Sequence, residues 1–106
     1  GMGKAGNIQG MKKKVQKMQA EMLKMQEELK TRTVETTVGG GALTIVANGK
    51  KEIESINIKP EALDPDDVEM LQDMIVSGVN EAMRKIDEMT EREMSKITGG
   101  MKLPGM

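Results

Sequence analysis

The stretch RTVETTVGGGALTIVANGKKEIESINIKP, residues 32–60, decides the fold. Val34, Thr36 and Val38 alternate with Thr33, Glu35 and Thr37, a β-branched run of period two that reads as a strand with two distinct faces. Gly39, Gly40 and Gly41 follow as a turn, and Leu43, Ile45 and Ala47 resume the alternation with Val46 on the other face. Asn48-Gly49 predicts a second hairpin with a type I′ turn, since both residues tolerate the left-handed conformation. A third strand is expected from about Lys51 to Ile58, where Ile53 is out of phase with Ile56 and Ile58, so a bulge near Glu54–Ser55 is expected. Pro60 ends it. The three strands make an antiparallel meander.

Outward from this core the period changes. In residues 8–29 the apolar positions Ile8, Met11, Val15, Met18, Met22, Met25 and Leu29 alternate spacings of three and four, a heptad seam made to face another helix. Asn7 is the expected cap of this helix, residues 1–7 the expected flexible start, and Gly1 ahead of Met2 reads as a remnant of tag removal. Downstream, Asp64-Pro65-Asp66-Asp67 predicts a helix start with Asp64 as cap and Pro65 in the first turn. The helix then carries Val68, Leu71, Met74, Ile75, Val79, Ala82, Met83, Ile86, Met89 and Ile97 on a broad face, with Gly78 at an expected close approach. Gly99-Gly100 stops it, and residues 99–106 form a flexible tail.

The order is helix, three strands, helix: an α+β fold in one domain of 106 residues. Helices of about 22 and 33 residues are ~33 and ~50 Å long, more than the ~30 Å width of a compact chain of this size, so both must project. Projecting helices and a small sheet with two open edges favour a symmetric dimer, with the seam residues as its interface.

Absences narrow the function. Without His or Cys there is no zinc site, thiol nucleophile or imidazole base, and no spacing of Asp and Glu suggests a metal or acid–base site. No catalytic residue, cofactor or small-molecule substrate is expected. Without Phe, Tyr or Trp the chain lacks the platforms on which single-stranded bases stack. No apolar run is long enough to cross a bilayer, so no membrane partner is expected.

The net charge of −1 conceals a division along the chain. Residues 1–32 hold eight basic against three acidic side chains, whereas residues 59–98 hold five against eleven. The local field of the first helix is therefore the informative quantity. Lysines at its start oppose the helix dipole, which prefers acids there. Lys12, Lys13, Lys14, Lys17 and Lys24, with Lys4 ahead of them, suit contact with phosphates; the bland alternative is a solvated face. Arg84 and Lys85 form a second basic spot among acidic neighbours. The twelve methionines offer another reading, a module whose adaptable seam grips a partner's helix.

The Met-, Lys- and Gln-rich first helix, the glycine turn before Asn48-Gly49, the strand end Ile56-Asn57-Ile58-Lys59-Pro60, the acidic helix start and the tail Gly99-Gly100-Met101-Lys102-Leu103-Pro104-Gly105 together resemble the YbaB/EbfC family of bacterial nucleoid-associated proteins. The resemblance covers essentially the whole chain. It implies an α-β-β-β-α protomer, a tweezer-like homodimer, and binding of double-stranded DNA with modest sequence preference in the cytoplasm, at the nucleoid. It carries no catalytic residues over to this chain, and only the basic helical positions can be carried over as DNA contacts.

Overall fold

The computed structural model describes residues 2–99, with side chains from residue 8 onward. Helix α1 (Met2–Leu29) is followed by strands β1 (Thr33–Val38), β2 (Leu43–Asn48) and β3 (Ile53–Ile58), a 3-10 turn at Pro60–Ala62, and helix α2 (Val68–Thr98). The strands form one antiparallel sheet in the order β1-β2-β3. The α-β-β-β-α order is the expected one, and its sheet is held by the expected period-two pattern. Thr36, Ile45 and Ile56 lie in register, as do Val38, Leu43 and Ile58. Between Val46/Ser55 and Ala47/Ile53 the register shifts, which leaves Glu54 as the extra residue of a bulge. That bulge returns Ile53 to the same face as Ile56 and Ile58.

Three local expectations are corrected. Helix α1 begins at Met2, so Asn7 lies inside it and not at its start. Gly3, Gly6 and Gly10 lie inside the helix, each at a cost of about 1 kcal/mol relative to Ala. The cap of α2 is Asp67, whose side chain accepts from the Met70 amide at 3.2 Å. Asp64 instead closes the preceding turn, where its carboxylate accepts from the Asp66 amide and its carbonyl from the Asp67 amide. Proline at position 65 suits that turn as well as it suits a first helical turn.

The Asn48-Gly49 hairpin is not type I′, because neither residue has positive φ; the left-handed residue is Lys51, at φ 64°. The loop is therefore a three-residue one with a left-handed last position. Asn48 contributes its backbone, whose amide donates to the Glu52 carbonyl at 3.0 Å and whose carbonyl accepts from the Lys51 amide at 2.9 Å, and also its side chain: Oδ1 accepts from the amides of Lys50 (2.9 Å) and Glu52 (3.3 Å). Gly49 is required for space. A Cβ there would stand 1.8 Å from the Leu29 carbonyl oxygen.

Helix α2 lies across one face of the sheet, and Gly78 is the closest approach, as expected. A Cβ on it would sit 2.6 Å from Ile45 Cδ1 and 3.0 Å from Val38 Cγ2. Leu43, Ile45 and Ala47 of β2 and Ala82, Ile86, Met89 and Met94 of α2 form the core with Met22 and Leu29 of α1. A six-residue strand spans ~20 Å, whereas 31 helical residues span ~46 Å. The last turns of α2 must therefore overhang the sheet, and α1 covers them. Successive residues of α2 meet the rest of the chain in reverse order. Met74 lies by Gly39, Lys85 by Glu35, Glu93 by Arg32 and Ile97 by Met25. The helices are thus antiparallel, and the first half of α1 extends beyond the end of α2. The molecule measures 78 × 19 × 19 Å with a radius of gyration of 20.8 Å, against ~13 Å for a compact chain of 100 residues.

Candidate nucleic-acid interface

Only the second half of the heptad seam packs within the chain. Met22 and Leu29 are buried, and Met18 and Met25 are half-buried against the same core. Ile8, Met11 and Val15 remain 65, 65 and 50 % exposed. The seam expected between two chains is in its second half a contact inside one chain. The missed signal was the mismatch between the long second helix and the short strands. Met94, which is buried at that overhang, was also absent from the expected apolar face.

Beyond this anchor the arm is a free cationic cylinder. With seam residues at heptad positions a and d, Lys12 and Lys14 flank the seam, while Lys13 and Lys17 point away from it. All four are exposed, and no acidic residue precedes Glu21 in the helix. Among the described residues, none of the four has a carboxylate within ion-pair distance. Lys24 sits at the base of the arm in a shallow groove with Glu21, Glu28 and Ile97, where neighbouring carboxylates reduce its field. The side chain of Lys4 lies outside the described residues.

Arg84 and Lys85 have a different environment. Arg84 is held between Glu81, at 2.5 Å, and Glu88. The hydrogen bond with Glu81 holds the guanidinium above, and the Glu81 carboxyl below, their ordinary values. Lys85 donates to the Glu35 carbonyl at 2.8 Å and so ties α2 to β1. These two cations belong to the body, and the structure does not bring them together with the arm lysines.

Sequence reasoning also missed the joint that sets the arm on the body. Glu93 accepts from Lys96 Nζ at 2.9 Å and pairs with Arg32 Nη1 at 3.3 Å, which links α2 to the end of α1. Lys96 first and Arg32 second lower the Glu93 pKa from its ordinary 4.5. A carboxyl lowered on folding stabilises the fold fully above its unfolded value, and loses that contribution as pH falls through the folded value. Glu93→Gln is expected to lower the melting temperature at pH 7. The gap to the parent chain, followed by circular dichroism, should close as pH falls below about 4.5.

Residues 3–101 match the profile of the YbaB/EbfC DNA-binding family. The chain belongs to this family. Among its YbaB/EbfC relatives, a nucleoid-associated protein of Pelotomaculum thermopropionicum is 61 % identical over 95 % of this chain and 96 % of its own length. One from Ruminiclostridium cellulolyticum is 61 % identical over 100 % and 93 %. A crystal structure of an uncharacterized Helicobacter pylori protein aligns with TM-score 0.61 at 23 % identity, covering 74 % of this chain and 90 % of the other. That last likeness concerns the fold alone. The YbaB/EbfC family is one of DNA-binding proteins, not of enzymes. Among the described residues there is no cluster of acidic side chains able to hold a metal ion, and no helix long and apolar enough to cross a membrane.

Proposed function

We propose that the chain acts as a homodimer at the bacterial nucleoid, binding double-stranded DNA through the lysines of α1 with weak sequence preference. In that role it organises the nucleoid or regulates genes. The observation that carries this reading is the set Lys12, Lys13, Lys14 and Lys17, exposed and, among the described residues, without carboxylate partners on an arm that reaches past the body. Lysines there attract the phosphate backbone and release counterions while reading no base, which accounts for affinity without a site. Lys4 extends the same surface by sequence, and Lys24 contributes less because Glu21 and Glu28 flank it. Ile8, Met11 and Val15 are the part of the seam still open to a partner helix.

The test is fluorescence anisotropy on random-sequence duplex, single-stranded DNA and RNA from 50 to 300 mM salt. Affinity for the duplex that falls linearly in log–log coordinates supports the reading. Binding to single strands alone, or none at low salt, refutes it. The exposed half-seam favours a second reading, a module that binds a partner's amphipathic helix. A chain that is monomeric by light scattering and indifferent to DNA would select that one.

A further inference from the structure

We propose that Met25, in the joint between the arm and the body, is an oxidation site through which a peroxide loosens α1 from α2. The proposal concerns the joint alone and stands or falls without reference to DNA.

The chain has no Cys, His, Phe, Tyr or Trp, so its twelve methionines are the side chains that a peroxide attacks first. The fold sorts them. Met11 and Met70 are exposed and lie outside the core. Met22, Met89 and Met94 are buried within it. Met18, Met25, Met74 and Met83 are half-buried, and among these Met25 joins two conditions. It packs against the core where α1 meets α2, and it lines a groove of about 270 Å³, open to solvent, with Glu21, Lys24, Glu28 and Ile97. Its thioether therefore serves as a packing contact while staying within reach of a small solute.

The joint depends on such groups. Among the described residues, α1 meets the core through Met18, Met22, Met25 and Leu29, so three of the four apolar side chains are thioethers. Methionine suits the place because it is unbranched and fills irregular space. Oxidation removes that advantage. The thioether sulfur attacks one peroxide oxygen, the O–O bond breaks, and the departing hydroxide takes the proton from the transferred oxygen and leaves as water. Sulfur is oxidised by two electrons, the peroxide is reduced by two, and a polar, chiral sulfoxide stands where an apolar chain had packed. The new oxygen is an acceptor that Ile97 cannot satisfy, whereas Lys24 at the rim of the groove can donate to it. The oxidised side chain is thus drawn out of the joint, and the second half of α1 loses part of its hold on α2. In a chain that binds duplex through the arm, oxidation would also lower duplex affinity with every lysine in place; that consequence alone rests on the function proposed above.

The test treats the full chain with dilute hydrogen peroxide and follows each methionine by mass spectrometry after tryptic digestion. Met25 is the one methionine of the fragment 25–30, and Met11 the one of 5–12, so their sulfoxides are counted separately. Met11 should oxidise first and without effect. As the Met25 sulfoxide accumulates, the melting temperature should fall by about 4–8 °C, the shift that one impaired core contact gives in a chain of this size. Brief trypsin treatment of the folded protein should then cut after Lys24 several-fold faster, since cleavage there needs α1 to lift from the body. Methionine sulfoxide reductases should reverse both changes. Met25→Leu keeps the bulk without the thioether and should hold its melting temperature through the same treatment, whereas Met11→Leu should respond as the parent does. If Met25→Leu does not fold, the time course on the parent chain decides. Loosening that runs ahead of the Met25 sulfoxide, a Met25 sulfoxide formed without loosening, or a Met25→Leu variant that loses as much as the parent overturns the proposal. Duplex binding enters none of these readouts.

Discussion

Replacing Lys12, Lys13, Lys14 and Lys17 with alanine is expected to weaken duplex binding on all sequences alike and to flatten its salt dependence. Each lysine withdrawn from a phosphate should lower the slope of log K against log salt by about 0.9. Four lysines in one arm thus account for a slope of roughly 3.6, or about a hundredfold in affinity between 50 and 200 mM salt. The fold should be untouched, because these side chains are exposed and make no ion pair among the described residues. The parallel change Arg84→Ala is expected to leave the slope nearly as it was, since that guanidinium is engaged by Glu81 and Glu88. Anisotropy titrations at four salt concentrations read both slopes. Equal slopes for the parent and the quadruple variant would remove the arm from the DNA-binding surface.

Gly49→Ala is expected to be the most damaging single methyl group in the chain. The added Cβ would stand 1.8 Å from the carbonyl oxygen of Leu29 and 2.5 Å from its carbon, so one backbone would have to move off another. The Gly49 amide also donates to the Arg32 carbonyl at 3.0 Å, which extends the β1–β2 ladder one step beyond the Thr33–Asn48 pair and holds the hairpin beside the α1–β1 link. Side chains can rotate away from an intruder and this joint cannot, so about 3 kcal/mol is expected, the upper end for overpacking. For a chain of this size that lowers the melting temperature by roughly 12–24 °C. Gly10→Ala is the control. Nothing lies within 4 Å of its Cβ, and the gain in helix propensity should raise stability by up to about 1 kcal/mol. Thermal melts of the two variants should move in opposite directions.

The sheet was legible in the sequence because its signals are local. Alternation at Val34, Thr36 and Val38 and the phase slip after Ile53 each need only a few neighbours to be read, and strands and bulge followed from them, whereas the β2–β3 register did not, because the turn at Asn48-Gly49 is not the two-residue one expected. Gly78 was legible as a close approach for the same reason. Gly49 was read for the wrong property: its dihedral freedom goes unused, and the crowding that demands it comes from Leu29, distant in sequence. The seam misled in a related way. A heptad states that a helix has a partner but not which one, and α2 supplied that partner to Met22 and Leu29 from within the chain. The lysines of the arm were legible as a cationic surface. The engagement of Arg84 and Lys85 in the body was not, because it depends on rotamers of Glu81 and Glu88 and on the nearness of β1.

The overhang of α1 has a thermodynamic consequence. In residues 22–29 burial of Met22 and Leu29 helps to hold the helix, whereas residues 8–17 are all exposed and, among the described residues, bury nothing that does the same. The packed half supplies the nucleus, and each further turn of the arm is added by propagation alone, with a statistical weight near unity. Repulsion works against it: Lys13 and Lys17 stand one turn apart, as do Lys14 and Lys17, at a few tenths of a kcal/mol for each like-charged pair. Polyanions remove that repulsion. Helix length in the arm and occupancy by a polyanion are therefore linked functions, and the helix–coil boundary retreats toward Met22 as the counter-charge is withdrawn.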